Sequence, residues 1–459
     1  MILGKDNIRR LPLPVGTSDW ATFSRDSYCV DKTLMIKELI DTKTRVALFT
    51  RPRRFGKTTA LKMIRAFYEG DASLFVDKKI WAAGEEYRKE QGAHPVIYLT
   101  FKDVKQTTAR EAFGKLASLL SGEIFRHRAA VTEGIKNETK KKKLDAVYRE
   151  KASRNELAES LGLLAEAIHA HTGKLPVILI DEYDQPITTA SVNGFYDEMC
   201  TFMRVFLSGA LKDNEHCHLG LMTGVLRVAK EGILSGLNNP KVWTVFDEQF
   251  SKYFGFTGDE VETMAKYYGA EDKLPEIKAW YNGYAFGGTE IYNPWSVLQY
   301  FDHGCKPDAY WLDTSSNDLI TELVRDLPHD MVKTLEALLR DETPWVQMAK
   351  DLGPYKSIKT RKDSLYALLV SAGYLKVASE LQDGLCKVAI PNHEIAQVFV
   401  SDIKAKINNA LDVGTGDIVA ALLERDAEAL KSAIASFLLE SVSYFDAAAE
   451  GFFHGLTLG

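Results

Sequence analysis

Residues 46–66 constrain the fold more than any other stretch, because they have the pattern of a strand, a tight loop and a helix. Residues 46–50 are apolar almost throughout, which is typical of a strand covered on both faces of a sheet. A helix is predicted from Thr58, with Leu61 and Ile64 on its apolar face. Between them, successive backbone N–H groups and the positive helix end favour anions, so the loop predicts a polyphosphate-binding site.

The loop contains the Gly56-Lys57-Thr58 core of the phosphate-binding consensus G-x-x-x-x-G-K-[ST]. Lys57 is predicted to reach the β- and γ-phosphates of ATP, and the Thr58 hydroxyl to bind Mg²⁺. The other residues predicted to contact the nucleotide come from the same loop and the first helical turn: Arg53, Arg54, Phe55, Gly56 and Thr59. Arg51 stands where the consensus has glycine, so the loop alone also allows a basic turn without function.

A second motif follows further along the chain, where residues 177–180 form an apolar strand that ends in Asp181-Glu182. Asp181 is predicted to hold Mg²⁺ and Glu182 to act as the general base that polarises the attacking water. Asp184 is a further acidic candidate near the metal. A buried strand ending in two capping carboxylates is the alternative, but the pairing with an upstream G-K-T loop favours the catalytic interpretation.

Another core strand is predicted at residues 217–224, ending in a polar turn. Thr223 and Arg227 are both candidates to sense the γ-phosphate, and pairing of Arg227 with Asp184 is an equally good structural alternative. His216 and His218 flank Cys217 in this strand. Because the sequence shows no second ligand cluster, both histidines are interpreted as strand-edge residues and not as metal ligands.

About five strands alternate with helices over residues 1–250, which predicts an α/β fold. The expected architecture is a P-loop NTPase: a parallel sheet with helices on both faces and the site at the carboxyl ends of the strands. The run Lys140–Lys143 is interpreted as a solvated helix face, with a nucleic-acid role as the less favoured alternative.

A helical lid is predicted for residues 251–330, and a winged-helix-like module for residues 331–440. Asp383-Gly384 between two short apolar runs predicts a hairpin. Such a module binds DNA or serves as a rigid lid, and the sequence does not choose between a DNA and a protein partner. The aromatic stretch at residues 280–288 is interpreted as packing in preference to base stacking.

The net charge of −6 over 459 residues argues against a protein that coats nucleic acid. No apolar run is long enough to cross a bilayer, and the N-terminus lacks the apolar core of a signal peptide. Five scattered cysteines without a C-x-x-C pair predict reduced thiols in a cytoplasmic protein. The oligomeric state stays open.

Together these motifs resemble a family of bacterial proteins with an AAA-ATPase-like N-terminal region and a PD-(D/E)XK nuclease-like C-terminal domain. The matching stretches are residues 28–33, 51–58, 179–184, 223–227, 254–257, 280–284, 292–295 and 373–375. The resemblance implies an ATP-binding protein, and it accounts for Arg51, because R-P-R-R-F-G-K is the usual loop of that family.

At residues 441–459, Glu450 and Phe452-Phe453-His454-Gly455 look like the first helix of the nuclease-like domain. The later carboxylates and lysine of the nuclease motif are not in this sequence, so cleavage of nucleic acid is not expected. The leading hypothesis is a Mg²⁺-dependent ATPase that acts as a nucleotide-driven switch for a C-terminal effector. The alternatives are a nucleotide-gated DNA-binding or protein-interaction module with little turnover, and a DNA-binding protein with a degenerate ATPase.

Overall fold

The computed structural model of the chain describes residues 10–227, 240–311, 329–349, 361–379, 382–399, 421, 423 and 426–441. The chain divides into two compact units, Met1–Ala396 and Gln397–Gly459. In the second unit, a helix spans Ala427–Ser441. All other helices and strands given below belong to the first unit. The predicted start of a nuclease-like domain, from residue 442 onward, lies outside the described residues.

A five-stranded sheet forms the centre of the first unit. Its strands are β1 (Val46–Thr50), β2 (Val96–Thr100), β3 (Val177–Asp181), β4 (Leu219–Gly224) and β5 (Lys241–Trp243). The strand order is β2-β3-β4-β1-β5, and every neighbouring pair is parallel. Every residue of β1, β3 and β4 is buried, as expected when helices cover both faces. The predicted parallel α/β sheet is therefore confirmed.

Helices precede β1 and occupy the connections from β1 to β4. They are α1 (Trp20–Asp26), α2 (Leu34–Asp41), α3 (Lys57–Glu69), α4 (Lys79–Ala82), α5 (Glu85–Arg88), α6 (Ala109–Arg126), α7 (Arg128–Gly134), α8 (Glu138–Tyr148), α9 (Arg154–Thr172), α10 (Gln185–Val192) and α11 (Tyr196–Leu211). The helix α3 packs against β2, β3 and β4. It therefore runs directly over the strands whose ends carry the two predicted motifs.

The lysine run lies on α8 and is partly engaged in ion pairs with α9. Lys140 Nζ lies 2.7 Å from a carboxylate oxygen of Glu166, and Lys143 Nζ lies 2.5 Å from a carboxylate oxygen of Glu159. The side chains of both lysines and of both glutamates remain partly exposed to solvent. Because two of the lysines pair with glutamates at the protein surface, the run fits the prediction of a solvated helix face.

The chain after residue 250 forms a small helical cluster around a hairpin. Its elements are α12 (Gly258–Tyr268), α13 (Leu274–Tyr281), β6 (Tyr284–Phe286), β7 (Thr289–Ile291) and α14 (Pro294–Asp302). The helix α12 begins with a capping box between Thr257 and Glu260. Tyr281 and Tyr300 are fully buried in the core of this cluster, so the tyrosines pack the cluster, as the sequence favoured.

The segment before β1 ties this cluster to the sheet. Lys32 Nζ donates hydrogen bonds of 2.6 Å to the Glu260 carboxylate and to the Lys252 carbonyl. The Tyr28 ring packs against the rings of Tyr267 and Tyr268, with centroids 4.8 and 5.5 Å away. The lead-in segment therefore contacts α12.

The next elements are α15 (His329–Leu339), β8 (Trp345–Gln347), α16 (Lys362–Ala372), β9 (Lys376–Val377) and β10 (Leu385–Ala389). The three strands pair antiparallel in the order β8-β10-β9. The predicted hairpin is confirmed, with Asp383 and Gly384 at positive φ in its turn. The winged-helix assignment stays a prediction, as do the domain boundaries. Within the described ranges, no helix combines the length and apolar character needed to span a bilayer.

Candidate functional site

The loop between β1 and α3 has the backbone that anion binding requires. Gly56 precedes α3 with φ +80°, a left-handed conformation that glycine adopts without strain. As the N-cap residue, Gly56 has no side chain to accept a hydrogen bond from the first-turn N–H groups. Those N–H groups, together with the positive end of a 13-residue helix, are therefore suited to a phosphate.

Lys57 is buried at the start of α3, below the loop. Its Nζ donates hydrogen bonds to the carbonyls of Arg51 (2.9 Å) and Pro52 (2.8 Å). Burial lowers the pKa of Lys57, and the nearby carboxylates of Glu182 and Asp181 counteract this effect. A polyphosphate bound by Lys57 would replace the two carbonyls, and its negative charge would favour the ammonium form.

Asp181 brings the two predicted motifs and the next strand to one point. Its Oδ2 accepts a 2.7 Å hydrogen bond from the Thr58 hydroxyl, and its Oδ1 accepts one of 2.6 Å from the Thr223 hydroxyl. The strand β4, which carries Thr223, lies between β1 and β3 in the sheet. Three residues predicted separately from sequence therefore share one hydrogen-bonded cluster at the carboxyl ends of the strands.

Glu182 follows β3 with φ +52°, which is unusual for a residue with a side chain. Burial raises the pKa of its carboxyl, whereas Lys57 lowers it, and Asp181 and Asp184 raise it further. Glu182 therefore lies within the electrostatic influence of both Lys57 and Asp181. A backbone held in this sparsely populated region is the kind of local strain that occurs at functional sites.

Asp184 positions the chain that leaves β4. Its Oδ2 accepts hydrogen bonds from the backbone N–H groups of Val225 (2.9 Å) and Leu226 (2.8 Å). Burial raises the pKa of Asp184, while these two hydrogen bonds lower it. Asp184 therefore holds the backbone turn that lies between the two sensor candidates, Thr223 and Arg227. Arg227 lies just beyond this turn and is the last described residue before the gap at 228–239.

Arg51 is fully buried, which explains how the loop can have arginine in place of glycine. Its Nη1 donates hydrogen bonds to the carbonyls of Thr50 (2.9 Å) and Trp243 (3.0 Å). Its guanidinium lies over the rings of Phe254 and Phe286, 5.1 and 5.4 Å from their centroids. Burial lowers the pKa of Arg51 to about 9, and Asp247 counteracts this shift. Arg51 thus points away from the loop and joins β1 to β5 and to the hairpin.

Phe55 also points away from the phosphate-binding face. Its side chain is fully buried. The centroid of its ring lies 4.8 Å from that of Tyr284 and 5.2 Å from that of Phe286. Only the backbone of Phe55 is therefore suited to contact a nucleotide. This packing of Phe55 was not predicted from the sequence, because its two aromatic partners come from a hairpin more than 200 residues further along the chain.

The remaining loop residues lie on the side of the cluster after residue 250. The exposed Arg54 guanidinium lies 4.3 Å from the centroid of the Trp295 ring, a cation–π contact. The Arg53 carbonyl accepts a 3.5 Å hydrogen bond from Trp311 Nε1. Thr59 is half-buried on the first turn of α3. Each of Arg53, Arg54 and Phe55 therefore makes a contact with residues after 250.

The fold and this site fit the P-loop class of nucleotide-binding proteins. Residues 14–234 match the family model described as AAA-ATPase_like, Predicted AAA-ATPase. The matched region, just under half of the chain, contains both motifs and the sensor candidates. Nucleotide binding is the property that this match suggests.

The chain is also similar to a protein of Azotobacter chroococcum mcd 1 that is described as "Uncharacterized protein in vnfD 5'region". The two are 29% identical over 419 residues, which is 88% of this chain and 70% of that protein. The similarity therefore continues well beyond the region matched by the family model, into the residues after 250.

Proposed function

We propose that this protein hydrolyses ATP with Mg²⁺ and transmits its nucleotide state to the chain after residue 250. This proposal rests on the cluster around Asp181. The two carboxylate oxygens of Asp181 accept hydrogen bonds from Thr58 and Thr223. This arrangement joins the phosphate loop, the acidic strand end and the adjacent strand. A change in the terminal phosphate therefore acts on all three elements at once.

The donor atoms in this cluster fit a magnesium ion. Thr58 offers a hydroxyl and Asp181 a carboxylate, and such hard oxygen atoms are the ligands that Mg²⁺ prefers, beside phosphate oxygens and water. Thr58 and Asp181 would hold the ion, which when bound neutralises charge on the β- and γ-phosphates. No nitrogen or sulfur ligand is needed in this interpretation.

Glu182 is the proposed base. A water oxygen bonds to the γ-phosphorus while the bond from that phosphorus to the β-bridging oxygen breaks, releasing ADP and phosphate. Glu182 accepts the proton of the water, and Lys57 stabilises the negative charge that moves onto the leaving phosphate. Burial raises the pKa of Glu182, and a base with a pKa closer to neutrality accepts a proton more effectively.

We propose that the phosphate loop also transmits the nucleotide state to the chain after residue 250. Arg51 and Phe55 are fully buried against the rings of residues 254–286. A loop that shifts on binding ATP therefore has to move the hairpin β6–β7 or strain these contacts. The hairpin and the helices around it are proposed to pass this movement to a protein partner or to a C-terminal effector.

A nucleotide-gated module with little turnover is the second candidate. It is favoured by the two carbonyl hydrogen bonds of Lys57, because they hold the loop in a conformation that the nucleotide has to open. A role dominated by DNA binding has less support: the net charge is −6, and Lys140 and Lys143 already pair with glutamates.

Phosphate release by the full chain separates these candidates. With ATP and Mg²⁺, we expect steady turnover by the wild type and a loss of about 10²–10⁴-fold in Glu182→Gln, with ATP affinity retained. Glu85→Gln is the matched control, because this surface glutamate is 74% exposed and pairs with Lys89 on α5. Turnover that is equal in Glu182→Gln and wild type would refute the role of Glu182, and ATP binding without any turnover would favour the gated module.

A further inference from the structure

Three potential metal ligands lie close together at the end of the sheet opposite the phosphate loop. Glu90 and His94 lie in the segment between α5 and β2, and His218 directly precedes β4. One ligand atom from each residue lies within 4.8 Å of the other two, and all three residues are half-buried. The phosphate loop follows the carboxyl end of β1, whereas these residues sit at the amino ends of parallel strands.

The turn that carries Glu90 and His94 is held firmly against α3. The Gly92 N–H donates a 3.0 Å hydrogen bond to the Phe67 carbonyl. A Cβ atom at Gly92, which has φ +70°, would lie 3.3 Å from the Gly70 Cα. This close approach fixes the distance between the turn and the end of α3, and therefore the position of the two ligands.

The hydrogen bond of His94 leaves its other ring nitrogen available to an ion. Nδ1 lies 2.8 Å from the Leu175 carbonyl oxygen, which only accepts, so Nδ1 carries the hydrogen. His94 Nε2 then faces Glu90 Oε2, 3.4 Å away. Among the described residues, that oxygen is buried and accepts no hydrogen bond. Two facing acceptors require a positive charge between them, either a proton or a metal ion.

His218 supplies the third ligand. The two imidazoles stack with centroids 3.7 Å apart and an interplanar angle of 18°. For one ion to lie in both ring planes, one ring turns about χ2, which is a soft torsion. The backbone of His218 is fixed by a 2.9 Å hydrogen bond to the Pro176 carbonyl.

We propose that Glu90, His94 and His218 bind one divalent transition-metal ion, with Zn²⁺ as the ion that this donor set fits best. Two imidazoles and one carboxylate are a recurring Zn²⁺ set, with water in the fourth position. The carbonyl partner of His94 is the outer-shell contact that metal-binding histidines typically make. The ion would fasten the turn after α5 to the amino ends of β2 and β4, away from the nucleotide.

Zn²⁺ titration of the chelator-treated full chain tests this proposal, with calorimetry for stoichiometry and Co²⁺ absorption for geometry. We expect one equivalent to bind, visible d–d bands typical of low coordination, and a higher melting temperature. His218→Ala should weaken binding by at least about 100-fold, because only two protein ligands remain. The matched control is His216→Ala, because Nδ1 of His216 instead lies 2.9 Å from Nδ1 of His169.

If His218→Ala folds poorly, Glu90→Gln provides a second test of the proposed Zn²⁺ site. Glu90 is 33% exposed, so this nearly isosteric change is expected to leave folding intact while it weakens Zn²⁺ binding at least about 10-fold. ATP affinity should be unchanged in both variants, which separates this proposal from the nucleotide site. The proposal is overturned if the wild type binds no stoichiometric Zn²⁺, or if Glu90→Gln binds Zn²⁺ as tightly as His216→Ala.

Discussion

Replacement of Phe55 by alanine tests whether the phosphate loop is packed into the cluster after residue 250. The ring is fully buried and contacts Tyr284 and Phe286. Removal of such a ring costs about 3–5 kcal/mol, because apolar contacts are lost and a cavity is left. With an unfolding entropy of about 2.1 cal/mol/K per residue, the unit Met1–Ala396 loses about 1.2 °C per kcal/mol, so the melting temperature should fall by roughly 4–6 °C. Thermal and urea denaturation of the full chain measure this loss.

The coupling itself is measured by hydrogen exchange with and without ATP. In the wild type, ATP should slow exchange in the hairpin β6–β7 as well as in the loop, whereas in Phe55→Ala the slowing should be confined to the loop. Phe55→Leu keeps most of the volume and should cost less than about 1.5 kcal/mol. Phe125→Ala is the surface control, because Phe125 is 52% exposed. A Phe55→Ala protein as stable as Phe125→Ala, or with ATP protection still reaching the hairpin, would refute this account.

Three further changes test individual side chains. Arg51→Gly restores the consensus glycine, yet it should lower the free energy of unfolding by at least about 2 kcal/mol in urea denaturation, because the Thr50 and Trp243 carbonyls lose a charged donor. Asp184→Ala should lower the rate of phosphate release at least about tenfold, since the backbone turn after β4 loses both hydrogen bonds. Burial raises the pKa of Glu394 to about 8, so the folded state binds the proton more tightly and stability should fall as pH rises from about 4.5 to 8. Urea denaturation of Glu394→Gln across this range should show a flatter pH dependence, and an unchanged slope would contradict this assignment.

Local sequence was sufficient to predict the parts of the site that rest on short-range pattern. Gly56-Lys57-Thr58 and Asp181 were found because each motif combines an apolar strand with polar residues at its end. The parallel sheet then brings the carboxyl ends of separate strands together, and Thr223 lies among them. The hydrogen bonds from Thr58 and Thr223 to Asp181 confirm that the three residues lie together.

Tertiary contacts account for what the sequence did not reveal. Nothing local to Phe55 or Arg51 shows that their side chains turn away from the nucleotide, because their partners come from residues 243–286. His218 was interpreted as a strand-edge residue, since its ligand partners Glu90 and His94 lie more than 100 residues earlier. Only the folded sheet, in which β2 and β4 both flank β3, brings them together.

ATP binding measured by calorimetry with Mg²⁺ tests the central claim most directly, in the wild type beside Lys57→Ala. Lys62→Ala is the matched control, because Lys62 lies on the same helix but donates its hydrogen bond to Ser18, away from the loop. Loss of a charged phosphate contact should weaken binding by at least about 1.5–3 kcal/mol, or roughly 10–100-fold, in Lys57→Ala alone. Equal ATP affinity in Lys57→Ala, Lys62→Ala and wild type would contradict the assignment of this loop as the nucleotide site.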